Sequence, residues 1–240
     1  MAGHSHWAGI KHKKDRVDKI RSKIFSKLSR EITIAAKLGD KDPDSNPRLR
    51  SAIQSAKSAN MPKNNIQRAL DKSKDSFNNN LENIRYEGFG PNNVAFIILA
   101  ITDNKNRTAA NIRTIFQKND GCLGTSGSAS HNFKQLGVIK FLKDQIQENI
   151  IYNFVVDIGV DDFLIYKKYY EVHCEKNKIY DIKKKLETKI KHFMSTEIEW
   201  IAINKVTLNK EQNQAILNLF ENLYDNDDVQ SVYFNLERKD

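Results

Sequence analysis

The sequence predicts an α+β protein in which an all-α N-terminal domain precedes a mixed region of helices and strands. Three observations predict it. Three helical segments joined by short turns follow one another between residues 16 and 70. The β-branched run VAFIILAIT at residues 94–102 is nearly continuous in apolar side chains, as in a strand at the middle of a sheet covered by helices. Beyond it, strand-like and helical segments alternate to the C-terminus.

A chain of 240 residues exceeds the usual single-domain size, so two or three domains are expected. The longest apolar run, residues 94–101, is strand-sized and falls short of the roughly 20 residues that cross a bilayer. No apolar segment follows the N-terminal charges, which argues against a secretory signal. Asp15, Asp18 and an early Trp7 fit a transit peptide poorly. Cys122 and Cys174 show no CxxC or partner spacing, which points to a reducing compartment and no structural zinc. A cytoplasmic location is expected.

Charge is distributed unevenly. The first thirty residues, MAGHSHWAGIKHKKDRVDKIRSKIFSKLSR, hold nine Lys and Arg against two Asp. Residues 1–74 carry a formal +11, whereas residues 75–240 carry −2. This asymmetry predicts a polyanionic partner, nucleic acid or an anionic membrane, bound through the N-terminal part.

Residues 1–14 read as a mobile basic tail. From Arg16 the pattern is helical, with Val17, Ile20, Ile24, Leu28, Ile32 and Ala35 on one face. Arg16, Lys19, Lys23, Lys27 and Arg30 form a basic stripe roughly 120° away. A charge run is ordinarily a solvated helix face. Here acidic i,i+4 neighbours are few, Asp15 to Lys19 and Glu31 to Lys27, and five like charges repel unless an anion such as a phosphate backbone relieves them. The helix is expected to end at Leu38-Gly39 with Gly39 as a left-handed cap, followed by a turn-rich connection.

Asn46-Pro47 opens a second helix whose apolar side is Leu49, Ala52, Ile53, Ala56 and Ala59. Asn60-Met61-Pro62 stops it, and residues 64–70 form a third, with Ile66, Ala69 and Leu70 inward. Residues 76–83 read as a linker and Tyr86-Glu87-Gly88-Phe89-Gly90-Pro91 as a turn before the strand at 94–102. Residues 108–118 are helical, with Ala109, Ile112, Ile115 and Phe116 on one face. The Gly- and Ser-rich segment 121–128 invites a phosphate-loop reading. It lacks GxxxxGK[ST] and follows a helix instead of a strand, so it reads as a flexible connection into a hairpin with strands at 129–133 and 138–141.

Residues 143–154 read as a helix, 161–166 and 169–174 as strands, 179–190 as a Lys-rich helix and 196–201 as a strand. This succession is like half of a ferredoxin-like unit. Residues 205–208 read as a strand, 210–224 as a helix with Ile216, Leu217, Phe220 and Leu223 inward, and 229–234 as the last strand. These C-terminal pieces complete the sheet begun at Val94, with the intervening block inserted as its own domain.

The runs AGHSHWAGIKHKK, KIFSKLSREITIAAK, NPRLRSAI, ANMPKNNIQRA, YEGFGP, TDNKNRTAANIR and LGTSGSASHNF resemble the signature segments of the YebC family of bacterial proteins. A mitochondrial translational activator of cytochrome oxidase belongs to the same family. The resemblance spans residues 1–133 and resumes at DDVQSVYFN, while residues 142–200 match loosely and are richer in Lys, Tyr and Ile. It implies a basic helical domain (1–75), a discontinuous α+β domain (84–142 plus 203–240) and an inserted α+β domain (143–202), the latter two ferredoxin-like. It also implies a role in gene expression, either as a DNA-binding transcriptional regulator or as a ribosome-associated factor that eases translation through consecutive prolines. By matching position, Lys11, His12, Lys13 and Lys14 with the basic helix are the expected nucleic-acid contacts, and Met61, Pro62, Lys63 and Asn64 form a second exposed set. Ala129 and His131 stand where the family pattern has Val and Trp.

Of the function classes, a non-enzymatic nucleic-acid binder acting on the ribosome fits best. A basic tail carrying Trp7 and three histidines suits irregular RNA, where stacking and phosphate contacts outweigh groove reading. The plain alternative for Trp7 is a hydrophobic staple onto the first helix. Sequence-specific DNA binding ranks second, because the second and third helices meet through Met61-Pro62 without the Gly turn of a helix-turn-helix. An enzyme ranks third. His4, His6 and His12 lack a nearby carboxylate or Cys cluster, Ser126 and Ser128 lack a base, and the adjacent pairs Asp161-Asp162 and Asp227-Asp228 would point to opposite faces of a strand. A membrane surface ranks low, since the small domain needs its aliphatic face for packing. The expected partners are ribosomal RNA or the ribosome, or promoter DNA, with no membrane, metal, cofactor or small-molecule substrate.

Overall fold

The first proline of the chain is Pro43, and one long helix, α1 (His4–Leu38), runs ahead of it. It begins well upstream of Arg16 and takes in most of the residues expected to form a tail. A lone Gly9 in its path costs only about 1 kcal/mol relative to Ala. In this computed structural model the backbone is described for residues 4–73 and 81–237, and side chains for residues 21–73 and 81–237. Two units are distinguished, residues 1–79 and 80–240.

In the first unit α1 packs with α2 (Pro47–Ser58) and α3 (Lys63–Lys72). Phe25, Leu28, Ile32, Ala35 and Ala36 supply the α1 side of the core, against Leu49, Ala52, Ala56, Ile66 and Ala69. Phe25 replaces Ile24, which is 37% exposed in spite of its place on the expected apolar face. Many of these residues are alanines, which let short helices approach closely.

Buried Asn46 closes two helix ends at once. Its Oδ1 accepts from Leu49 N at 3.0 Å, capping α2, while its Nδ2 donates to Ala35 O at 2.8 Å and Asp40 O at 2.6 Å beyond the end of α1. Gly39 is explained by this contact. It does not adopt the positive φ expected of a left-handed cap, but a Cβ there would lie 2.6 Å from Asn46 Nδ2. The Thr33 hydroxyl, 2.9 Å from Ala69 O, ties α1 to α3.

The second unit runs β1 (Glu82–Phe89), β2 (Ala95–Thr102), α4 (Lys105–Lys118), β3 (Cys122–Leu123), β4 (Phe133–Leu142), α5 (Glu148–Ile158), β5 (Asp162–Ile165), β6 (Tyr169–Glu175), α6 (Ile179–Leu186), β7 (Ser195–Ala202), α7 (Lys210–Tyr224) and β8 (Val229–Phe234). It forms two antiparallel sheets, ordered β3-β1-β2-β8 and β5-β6-β4-β7. The second sheet, with its chain order β4-α5-β5-β6-α6-β7, is a complete ferredoxin-like unit. The first has the same layers, with α4 and α7 on one face, but acquires α7 and β8 only after the second sheet has been inserted.

β2 is apolar on both faces because both are covered. Phe96 and Ile98 meet Ile112, Phe116, Ile216 and Leu219, while Ala95 and Ile97 meet Ala129, Phe133, Trp200 and Ala202. The strand ends are pinned by polar side chains. Asn235 Oδ1 accepts from Ala95 N at 2.8 Å, and the Asp228 carboxylate accepts from Thr108 Oγ1 at 2.7 Å and Arg107 Nη2 at 3.1 Å.

Several expectations are corrected. Residues 86–89 belong to β1, not to a turn. Gly88 serves there as a close-approach residue, since a Cβ would lie 2.7 Å from Cys122 O and 2.8 Å from the Phe116 ring. Residues 133–142 are one strand, with no hairpin, and β4 pairs with β6 and β7, so the inserted sheet begins ahead of the boundary expected at residue 143. Residues 205–208 contribute a single bridge, Val206 to Leu236. Leu217 is 42% exposed and Leu219 takes the inward position.

The Gly- and Ser-rich segment is held by Glu87, which is only 1% exposed. Its Oε2 accepts from Ala129 N at 2.8 Å and Ser130 N at 2.9 Å, and Arg85 Nε lies 3.0 Å from Oε1. Burial alone would raise its pKa. Hydrogen bonds from the backbone of Gly127, Ala129 and Ser130, with the Arg85 charge, hold it below the ordinary value. In the second sheet, Lys140 Nζ sits 2.8 Å from Glu199 and 3.6 Å from Glu171, and Glu171 sits 2.6 Å from His173 Nε2.

Asn46→Ala is expected to destabilise the helical unit by about 1–2 kcal/mol in urea melts followed by circular dichroism. Glu87→Gln should cost about 1–3 kcal/mol at neutral pH. Because folding depresses the Glu87 pKa, its contribution is full above the unfolded carboxylate value of about 4.3. It is lost as pH falls through the lower folded value. The variant should therefore lose less stability than the parent chain on acidification below about pH 4.

Candidate nucleic-acid interface

The helical unit presents cations on all three of its helices. On α1, Arg21 is exposed with its guanidinium 5.3 Å from the Phe25 ring centroid, and Lys23 and Arg30 are half-exposed. Lys27 is only 8% exposed, so the expected stripe is not presented evenly. The side chains of Lys11, His12, Lys13, Lys14, Arg16 and Lys19 lie outside the described residues.

On α3, Lys63 and Asn64 are both exposed at the helix start. Pro62 precedes them as an N-cap that has no side chain able to cap the first N–H groups. Together with the helix dipole, such an end favours an anion. Arg68 lies one turn beyond Asn64, on the side away from Ile66 and Ala69, and is also exposed. Met61, named with this set from the sequence, is buried at 6% exposure and belongs to the core.

Arg50 and Lys57 were not anticipated. They stand seven residues apart, hence on one side of α2, flank the Leu49–Ala56 side and are exposed. That spacing was readable in the sequence. Arg48, by contrast, is spent on Glu31, with Nε–Oε1 at 2.8 Å and Nη2–Oε2 at 3.2 Å joining α2 to α1. Among the described residues, Arg50, Lys57, Lys63 and Arg68 thus stand among the exposed cations beyond α1, with Lys41 and Lys72.

The α2–α3 connection bears on DNA binding. Asn60 adopts φ 58°, the left-handed conformation that glycine supplies in many helix-turn-helix turns. The lack of a glycine there therefore does not argue against such a turn.

Asp228 is engaged by Thr108 and Arg107, and the loop carrying Ser126 and Ser128 is held by Glu87. Ala129 is fully buried in the inter-sheet cluster, while His131 is exposed. Among the described residues, no group of three or more His, Cys, Asp or Glu could hold a metal ion. No described helix is long and apolar enough to cross a membrane.

A family model described as the TACO1/YebC protein N-terminal domain matches residues 5–76, and one for the TACO1/YebC second and third domain matches residues 81–236. The chain belongs to the TACO1/YebC family. A protein of Pelagibacter ubique named a probable transcriptional regulatory protein is 56% identical over 239 residues, covering 100% of this chain and 99% of that one. The crystal structure of a conserved hypothetical protein of Aquifex aeolicus superposes with a TM-score of 0.86 at 39% identity, covering 97% of each chain. The family models thus divide this YebC-type chain between the helical unit and the two-sheet unit, as its structure does.

Lys63→Glu combined with Arg68→Glu is expected to leave the circular dichroism spectrum unchanged. It should weaken nucleic-acid binding at least about tenfold and flatten its dependence on salt. Lys27→Glu places a carboxylate at a buried position and should instead lower the stability of the helical unit by about 1–3 kcal/mol.

Proposed function

We propose that this protein is a non-enzymatic, nucleic-acid-binding regulator of gene expression that works in the cytoplasm on the ribosome. Its helical unit grips ribosomal RNA, and its task is to ease elongation through difficult stretches such as consecutive prolines. One observation carries the binding part of this reading. The formal +11 of residues 1–74 is displayed in part as exposed cations on α1, α2 and α3, around a core rich in alanine. Cations spread over several short helices suit the irregular phosphate paths of folded RNA. The elongation task comes from the family resemblance.

The second reading is a DNA-binding transcriptional regulator. Two observations favour it: the left-handed Asn60 in the α2–α3 turn, and the name of the Pelagibacter ubique relative. Retardation of duplex DNA in vitro would not separate the readings, because any strongly basic unit binds duplex DNA non-specifically.

Crosslinking in cells, followed by sequencing of both RNA and DNA bound to the protein, tests the choice. Ribosomal RNA is expected to dominate. Recovery of promoter DNA without ribosomal RNA, joined by a salt-resistant preference for one operator over scrambled DNA, would reverse the order of the two readings.

A further inference from the structure

The β5–β6 hairpin closes through Lys167 and Lys168, between Tyr166 and Tyr169, whose N–H and C=O are paired at 3.0 Å. Two-residue hairpin tips favour Asn-Gly, Asp-Gly or Gly at the first position, because type I′ and II′ turns require positive φ. Both tip residues here are lysines, and neither has positive φ. With neither φ positive, the turn is not one of these types and its backbone accepts most residues, so turn chemistry does not itself demand two lysines here.

The tip combines two kinds of group. Lys167 and Lys168 are exposed, and the flanking rings of Tyr166 and Tyr169 are half-exposed and stacked, with centroids 4.6 Å apart and planes 19° apart. Lys143 is brought alongside by its N–H, which donates to Lys168 O at 3.2 Å. Its ammonium lies 4.9 Å from the Tyr170 ring centroid and 3.2 Å from Glu148. The tip sequence FLIYKKYY, residues 163–170, contains no acidic residue. It falls in the part of the chain that the family pattern matches only loosely.

We propose that this hairpin tip is a second RNA contact, specific for single-stranded or looped segments. Lys167 and Lys168 take phosphates, and the Tyr166–Tyr169 stack offers a flat apolar surface to an unpaired base. Two exposed lysines alone would be an ordinary solvated turn. The aromatic pair bracketing them distinguishes this one, because cations interleaved with stacking rings match unpaired bases and have no use for a closed duplex. The inference rests on the reading that the chain binds RNA, but the tip and the helical unit belong to different parts of the chain, so each can fail alone.

The test uses the full chain and a fluorescent oligouridylate of about twelve nucleotides, a length that spans a typical single-strand site. The double variant Lys167→Ala/Lys168→Ala should weaken binding about fivefold and lower the slope of log Kd against log salt by about 1.4, roughly 0.7 per phosphate for single strands. Tyr169→Ala should weaken binding about tenfold, while Tyr169→Phe keeps the affinity, because stacking needs the ring and not the hydroxyl. Ultraviolet irradiation should attach uridine to the peptide containing Tyr166 and Tyr169. Unchanged affinity and salt slope in correctly folded lysine and tyrosine variants would overturn the proposal. Lys63→Glu/Arg68→Glu is measured in parallel. Loss in that variant alone overturns the hairpin contact and keeps the helical one, and loss in the hairpin variants alone does the reverse.

Discussion

Strand β2 imposes the constraint on which the two-sheet unit depends. Its residues Phe96 and Ile98 point to one layer, while Ala95 and Ile97 point to another, and all four are fully buried. A strand apolar on both faces is stable only if both are covered. One face is closed by α4 and α7, helices separated in sequence by the whole inserted sheet. The other is closed by Ala129 and Phe133, which lead into that sheet, and by Trp200 and Ala202, which lead out of it. The insertion is thus packed against the sheet it interrupts, and Arg85, 5.1 Å from the Trp200 ring centroid, adds a cation–π contact at the same junction.

The helical unit solves a different problem. Its core relies on alanines, so apolar area is limited and polar closure matters more. Asn46 satisfies groups at two helix ends, Thr33 bonds across to α3, and Arg48 pairs with Glu31 across α1 and α2. The cations left on the outside repel one another, which disfavours the free unit and favours its neutralised complex. Core and exposed charge fall on separate residues here, so charge at Arg50, Lys57, Lys63 and Arg68 can change without touching the Leu49, Ala52, Ala56, Ile66 and Ala69 core.

Elements with local signals were legible in the sequence. Asn46-Pro47 marks the start of α2, and α7 has the bounds that its apolar spacing predicts, Lys210–Tyr224. The continuous apolar run marked β2. What was not legible depended on distant partners. Gly88 looked like a turn residue, but its small size serves Cys122 and Phe116. Glu87 looked like part of the same turn, although it anchors backbone groups more than forty residues away. In the candidate interface, Lys63 and Asn64, named from the motif at the start of α3, are exposed. Arg50 and Lys57 stand outside the charge-dense α1, and Lys27 is buried although it lies about 130° from the face that Phe25, Leu28, Ile32, Ala35 and Ala36 turn to the core.

On the proposed function, exposed cations of the helical unit meet RNA on the ribosome. Hydrogen exchange of the full chain, with and without purified ribosomes and with a duplex DNA control at the same salt, tests it most directly. Slower exchange in α2 and α3 with ribosomes, exceeding that with duplex DNA, is the predicted result. Unchanged exchange in both helices under conditions where the protein sediments with ribosomes would contradict the account.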